Sequence, residues 1–388
     1  MDYDKRRALA GSQTDGGSGF EKTGGLMAGD EDHRLELFPE AQGEDEKERP
    51  QPADEMAGEV AEDLDLLSMM QRTIVRLERD GTTRGDLKIL NRTLRELRYA
   101  FKVFQPFRRR RKVTVFGSAR TAPTHPAYQQ AVALGRAMAG HGWMVITGAG
   151  GGIMEAGHLG AGRELSMGLN ILLPFEQSAN AIIDGDPKLV TLKYFFTRKL
   201  MFVKECSAVV CLPGGFGTLD ETLEVLTLLQ TGKQTMVPVV LLDEPGGDFW
   251  DHFGVFVERN LLKPALISPE DLALYTITDQ VEVAVEHVLN FYRVYHSMRY
   301  VNHYLLLRVY KPLSASQLEQ LNESFADIVL SGSIEQIRAM PEEGNEPELA
   351  SLPRLRLHFD RRRLGRLRQL IDAINATCPE CEVSPQSH

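Results

Sequence analysis

From residue 113 to residue 295 the chain alternates short, continuous apolar runs with longer stretches of helical periodicity, and no other feature constrains its fold as strongly. The apolar runs are VTVF (113–116), WMVIT (143–147), GLNILLP (168–174), AVVCLP (208–213), VPVVLL (237–242) and LALYTIT (272–278). Helices are predicted over 127–142, 152–164, 197–206, 218–231, near 249–261 and over 279–295. A run that is apolar at every position, rather than at alternate ones, belongs to a strand buried on both faces. Such strands interleaved with helices build a parallel sheet covered on both sides. Ligands of these sheets bind beyond the carboxyl ends of the strands. The loops after residues 117, 147, 173 and 212 are therefore where chemistry is expected.

The flanks read differently. Residues 1–55 are rich in Gly, Asp, Glu and Pro and are expected to be a disordered acidic tail, because they hold too little apolar surface to offset the entropy of ordering. Over 56–112 two amphipathic helices are predicted. Val60, Leu64, Leu67, Met70, Ile74 and Leu77 mark the first, which stops at Asp80-Gly81, and Leu87, Leu90, Leu94, Leu97 and Phe101 mark the second, which ends before Pro106. The basic run 108–112 reads as a solvated linker, with a phosphate contact as the sharper alternative. Beyond residue 300, YLLLRVY (304–310) and RLRLHF (354–359) are predicted strands, Ser314 and Gln317 open a helix with capping-box spacing, and an arginine-rich helix ends near Ala376. Arg361, Arg362, Arg363, Arg366 and Arg368 form either a solvated, acid-paired face or an anion site.

Charge narrows the function. The net charge is -10, but residues 1–60 carry 7 Lys/Arg against 16 Asp/Glu and the remainder 37 against 38. The body is nearly neutral, which argues against a strongly basic nucleic-acid binder. No apolar run is long enough to span a membrane and no secretory signal opens the chain, so a cytoplasmic protein is expected. Of the four cysteines, Cys206 and Cys211 read as core thiols. Cys378 and Cys381 form a lone CxxC, short of the four ligands of a structural zinc site, so no metal is expected.

Three stretches carry chemistry. Residues 147–155, TGAGGGIME, join a strand to a helix. Gly148, Gly150, Gly151 and Gly152 would let backbone N–H groups approach an anion at a helix N-terminus, or would simply make a tight turn. No acidic residue follows at the spacing of a dinucleotide site, so a mononucleotide fits better. Residues 213–221, PGGFGTLDE, repeat the arrangement with Gly214, Gly215 and Gly217; Thr218 and Glu221 serve either a ligand or a capping box. Arg198 and Lys199 stand at the start of a predicted helix, where cations oppose the helix dipole unless an anion is near.

Together these stretches resemble the LOG ("Lonely Guy") family, once described as lysine decarboxylases, whose hallmark is PGGxGTxxE with an upstream Arg-Lys pair. Gly117-Ser118-Ala119-Arg120 and Ile153-Met154-Glu155 also look like the family's nucleotide-site segments. Aromatic residues Phe195 and Phe196 precede the pair, similar to the longer bacterial branch. The resemblance covers about residues 113–295 and implies a phosphoribohydrolase that cleaves nucleoside 5′-monophosphates, AMP-like or cytokinin riboside monophosphates, to free base and ribose 5-phosphate. Carried over, Arg198 and Glu221 are the catalytic pair. Gly117, Ser118, Gly150, Gly151, Gly152, Met154, Glu155, Lys199, Pro213, Gly214, Gly215, Gly217, Thr218 and Glu224 hold substrate. No cofactor is implied; a pyridoxal phosphate decarboxylase would need a lysine setting that Lys199, Lys204 and Lys233 lack. The alternative on the same fold is a carrier module for nucleotide or molybdenum cofactor. A homodimer or higher homo-oligomer is expected.

The expected architecture is thus α/β: a Rossmann-like, doubly wound parallel sheet over 113–298, preceded by the helical segment 56–112 and followed by a small α+β appendage over 299–388.

Overall fold

The computed structural model describes residues 63–173, 178–344 and 346–378 of the chain. The acidic stretch 1–55, Val60, the end of the predicted strand 168–174 and Cys381 lie outside the described residues. Two helices open the fold, α1 (Asp63–Arg79) and α2 (Arg84–Phe104). Gly81 turns between them at φ +64°, and the Thr83 side chain accepts the Asp86 amide to cap α2. The apolar stripes of both helices are largely exposed, including Leu67, Met70, Ile74, Leu90 and Leu94.

The α/β core then runs β1 (Lys112–Phe116), α3 (Pro126–Gly140), β2 (Met144–Thr147), α4 (Ile153–Ala161), β3 (Ser166–Ile171), β4 (Leu189–Leu192), α5 (Phe195–Lys204), β5 (Ala208–Cys211), α6 (Phe216–Gln230), β6 (Val239–Leu242), α7 (Phe249–Val257), β7 (Thr276–Thr278) and α8 (Val281–Asn290). All seven strands pair in parallel in the order β4-β3-β2-β1-β5-β6-β7. The central strands β1, β2, β5 and β6 are buried at every position, as their unbroken apolar runs require. The chain builds outward from β1 on one side, then returns to β5 and builds outward on the other. The direction therefore reverses between β1 and β5, and their carboxyl ends diverge into a crevice.

Several boundaries differ from the sequence reading; the last helix of the core, for one, ends at Asn290 rather than at 295. Strand β4 was absent from it, because LVTL is four residues long between charged and polar neighbours. The predicted strand 272–278 is only Thr276–Thr278. A 3-10 turn, Pro269–Leu274, takes its first half because Ser268 and Asp271 cap each other there. Helices α5 and α6 each start two residues earlier than predicted, which makes Arg198 the fourth residue of α5 and Thr218 the third of α6.

The C-terminal part is a four-stranded antiparallel sheet, ordered β10 (Glu335–Ile337), β11 (Arg354–Leu357), β9 (Tyr304–Val309) and β8 (Tyr295–Val301). Two helices accompany it, α9 (Ala315–Ser324) and α10 (Leu364–Ala376). Strand β8 crosses the boundary expected at 298. Ser314 and Gln317 form their capping box. The arginines of α10 and its approach are used in structure: Arg363 and Arg366 pair with Asp327, Arg368 with Asp372 and Arg362 with Asp360, while Arg361 lies over the Tyr300 ring. Glu343, buried, receives both Arg308 and Arg354.

Candidate active site

The crevice between β1 and β5 has a volume of about 520 Å³. The loop after β1 and the loop after β5 are tied together, the Ser118 amide donating to the Pro213 carbonyl at 3.2 Å. The loop after β2 closes the third side, and the Ile153 amide donates to the Ser118 carbonyl at 3.0 Å. Phe116, Gly117, Ser118, Ala119, Arg120, Gly148, Met154, Arg198, Gly215, Phe216, Gly217, Thr218 and Glu221 line the space.

The glycine loop after β2 is held from beneath. Thr147 Oγ1 accepts the Ala149 amide at 3.0 Å, which fixes Ala149 in the left-handed region at φ 61°. Gly152 has φ +62°, and a Cβ there would stand 2.3 Å from the Ser118 carbonyl, so only glycine lets the two loops meet. Behind the loop His158, on α4, is fully buried. Its Nε2 is 3.0 Å from the Met167 carbonyl and 3.1 Å from Thr147 Oγ1, while its Nδ1 is 3.2 Å from Asn180 Nδ2. The carbonyl can only accept, so Nε2 carries the proton and Nδ1 accepts from the amide. Burial, opposed by the Met167 and Asn180 contacts, lowers the imidazole to about 4 and keeps it neutral. Asn180 also donates to the Gly150 carbonyl at 3.0 Å, and its own amide donates to the Ala149 carbonyl at 2.8 Å. His158 and Asn180 therefore set the shape of the loop; the sequence reading passed over both because neither sits in a motif.

Helix α5 delivers Arg198. Its Nε donates to the Leu169 carbonyl at 2.8 Å, and its Cζ lies 5.0 Å from the centre of the Phe202 ring. The guanidinium lies close against the glycine loop: a Cβ on Gly148 would be 2.2 Å from Nη2. Lys199, one residue on, turns away from the crevice. Its Nζ pairs with Asp220 at 2.8 Å and Glu224 at 3.1 Å and so braces α5 against α6. Burial works against its charge, but the two carboxylates outweigh it and raise the amine above its usual range.

Helix α6 delivers Glu221. Its N-cap is Gly215, with no side-chain cap, so the capping box considered for Thr218 and Glu221 does not form. Glu221 is left facing the crevice, its Oε1 3.9 Å from Arg198 Nη1. Burial raises its carboxyl to about 7; Arg198 and Lys199 pull down against that, and Asp220 and Glu224 push up. A carboxyl that titrates near neutrality beside a fixed guanidinium can take a proton from water.

Of the residues expected to hold substrate, Gly117, Ser118, Met154, Gly215, Gly217 and Thr218 line the crevice with Arg198 and Glu221. Gly150, Gly151, Gly152, Pro213 and Gly214 shape its loops without lining it. Glu155 faces Tyr128 on α3, and Lys199 and Glu224 meet each other outside. Phe116 and Phe216 line it without having been singled out; Phe216, 94% exposed at the mouth, occupies the variable position of PGGxGTxxE. Among the described residues no group of three or more His, Cys, Asp or Glu is placed to hold a metal ion, and no helix is long and apolar enough to cross a membrane.

Comparison with known proteins gives four matches. Residues 151–288 match a family described as possible lysine decarboxylase. A cytokinin riboside 5′-monophosphate phosphoribohydrolase of Mycobacterium marinum is 33% identical over 135 residues, which are 34% of this chain and 68% of that protein. A protein of the same name from Mycobacterium tuberculosis is 28% identical over 169 residues, 42% of this chain and 87% of its own length. A solved molybdenum cofactor binding protein from Rippkaea orientalis is 20% identical over 46% of this chain and 94% of that one, with a TM-score of 0.33, too low to carry a functional argument. The decarboxylase description finds no support in the crevice. Its lining contains no lysine to carry pyridoxal phosphate, and the nearby Lys199 amine is held protonated by two carboxylates.

Proposed function

The chain belongs to the LOG family, and on that premise we propose that its crevice hydrolyses the N-glycosidic bond of nucleoside 5′-monophosphates. The observation that carries this reading is the Arg198–Glu221 pair, 3.9 Å apart, between two glycine-rich loops at the switch point of the sheet. The glycine loops and the N-terminus of α6 receive the phosphate and ribose. The bond from C1′ to the base nitrogen breaks, its electron pair leaving with the base, and positive charge gathers on the ribose ring. The Glu221 carboxylate stabilises that charge and takes one proton from the attacking water, whose oxygen bonds to C1′. That proton passes on to the base nitrogen, so nucleotide and water give free base and ribose 5-phosphate. Arg198 fixes the phosphorylated sugar so that the water is aligned.

Gly150, Gly151, Gly152, Glu155, Lys199, Pro213, Gly214 and Glu224 act in this reading by shaping or bracing the loops and helices around the substrate. The protein works in the cytoplasm as a homodimer or larger homo-oligomer, a state that the exposed apolar faces of α1 and α2 favour and that mass measurement in solution tests. The reaction is tested by incubating the full-length chain with AMP, GMP, CMP, UMP and isopentenyl-AMP and following free base. Release from one or more is expected; no release from any at micromolar enzyme over hours overturns the proposal, and tight binding without release favours a carrier.

A further inference from the structure

Helix α5 starts badly for a helix that carries Arg198. Its N-cap residue, Tyr194, makes no side-chain cap, no acidic residue lies in its first turn, and the cations Arg198 and Lys199 follow as its fourth and fifth residues, against the helix dipole. The missing anion comes from α2, about a hundred residues earlier. Glu96 is 5% exposed; its Oε1 accepts the Lys193 amide at 2.8 Å, and its Oε2 accepts the Thr197 hydroxyl at 2.9 Å. Arg92 completes the cluster, Nε to Oε1 at 2.7 Å. Burial works against ionisation of Glu96, but these donors outweigh it and hold the carboxyl below its usual range. A negative charge is thus fixed at the amino end of α5, one residue before Arg198. Helix α2 lies outside the family match at 151–288, so this cap is supplied by the N-terminal helical segment of this chain.

We propose that Glu96 is a positioning residue for the reaction, capping α5 from α2 so that Arg198 is held against Gly148 and Glu221. The inference rests on the reading of Arg198 and Glu221 as the reacting pair. It gives the helical segment a task in the site beyond covering the edge of the sheet. Through Thr197 the cap sets the pitch of the first turn of α5, and with it the reach of the Arg198 guanidinium. A misplacement of the order of 1 Å at such a group costs up to about 100-fold in rate.

The test uses the full chain with Glu96→Gln, which keeps the shape and removes the charge, and Thr197→Val, which removes the hydroxyl from the other side of the same contact. Hydrogen exchange over 193–201 and the carboxyl titration of Glu221 are read alongside kcat/KM. Glu221 is faced by Arg198 and Lys199 from α5 and by Asp220 and Glu224 on its own helix, so loosening Arg198 moves its titration upward. The expected result is faster exchange confined to 193–201, an upward shift of the Glu221 titration in both variants, and kcat/KM lowered about 10–100-fold. Unchanged exchange and titration in both variants, or protection lost evenly across the chain, overturns the proposal. Exchange and titration are readable whether or not any nucleotide is hydrolysed, so failure of the nucleotide panel is distinct from failure of the cap.

Discussion

Arg198 Nη1 stands 3.9 Å from Glu221 Oε1, within reach of its charge and outside hydrogen-bond distance. That separation explains the state of the carboxyl. Desolvation pushes Glu221 up, the guanidinium offsets it only in part, and the group ends near 7 rather than in the usual carboxylate range. A tighter ion pair would hold it fully ionised and occupied with Arg198. At 3.9 Å the Nη1–Oε1 pair leaves the carboxyl titrating near neutrality, as the proposed role of Glu221 as base requires.

The pH dependence follows from the sign of that shift. As the base, Glu221 must be ionised, so kcat/KM should rise with pH, pass half its plateau near pH 7 and flatten above. A pH–rate profile from 5 to 9 on the preferred nucleotide checks this; a plateau already reached at pH 5.5 contradicts it.

Glu221→Gln should lower kcat by at least about 100-fold while leaving nucleotide affinity within a few-fold. The same change should alter stability with pH. The folded carboxyl titrates near 7 and the unfolded one near 4.5, so the wild type loses stability as pH rises between them and the glutamine variant does not. The variant's Tm relative to wild type should therefore be higher at pH 8 than at pH 4.5, by about 1–3 °C. Thermal melts at the two pH values, with a binding titration, decide both points.

Gly148→Ala should lower activity without unfolding the chain. The added methyl would lie 2.2 Å from Arg198 Nη2 and 2.6 Å from Met154 Sδ, so the guanidinium must move. A loss of about 10–100-fold in kcat/KM is expected, with Tm little changed. Gly140→Ala, where a Cβ meets nothing within 4 Å, is the control and should be neutral or slightly stabilising.

Asn180→Ala should raise KM about 3–10-fold, since it frees the Gly150 carbonyl at roughly 1 kcal/mol while the backbone amide of residue 180 still holds the Ala149 carbonyl. His158→Leu should add a loss of stability of about 1–3 kcal/mol, because the Met167 carbonyl and the Asn180 amide are left buried without their partner. Steady-state kinetics and denaturant titration of the two variants separate these effects.

In the C-terminal sheet, Glu343→Gln should destabilise by about 3 kcal/mol, since the buried Arg354 loses its carboxylate while Arg308 keeps Glu346. Burial raises the Glu343 carboxyl, but the two arginines outweigh it and hold it low. The stability it contributes is therefore present above pH 4.5 and lost as acid titrates the folded group. Denaturant melts at pH 7 and pH 3.5 measure the difference, which should shrink at the lower value.

Much of this protein was legible in its residues. Six of the seven parallel strands announce themselves as unbroken apolar runs, and both glycine loops appear where a strand hands over to a helix. The missed strand, Leu189–Leu192, is too short to show a period, and it is a strand because β3 offers it an edge. The first half of 272–278 reads as strand by composition, yet the mutual cap of Ser268 and Asp271 makes it a 3-10 turn. In the site, Arg198 and Glu221 were marked by their motifs. Lys199 and Glu224 were marked equally, and only their 3.1 Å contact shows that they brace two helices.

By itself the sequence determined the alternation of six of the seven parallel strands with their helices, the places where backbone could approach an anion, and the charged side chains nearby. These depend on local periodicity, propensity and spacing within a few residues. The tertiary structure decided which way those side chains turn. Gly148 leaves the space Arg198 fills, burial moves Glu221 toward neutrality, and Glu96 reaches Thr197 across 101 residues of chain. Such partners are set by how the layers pack, and no local pattern encodes them.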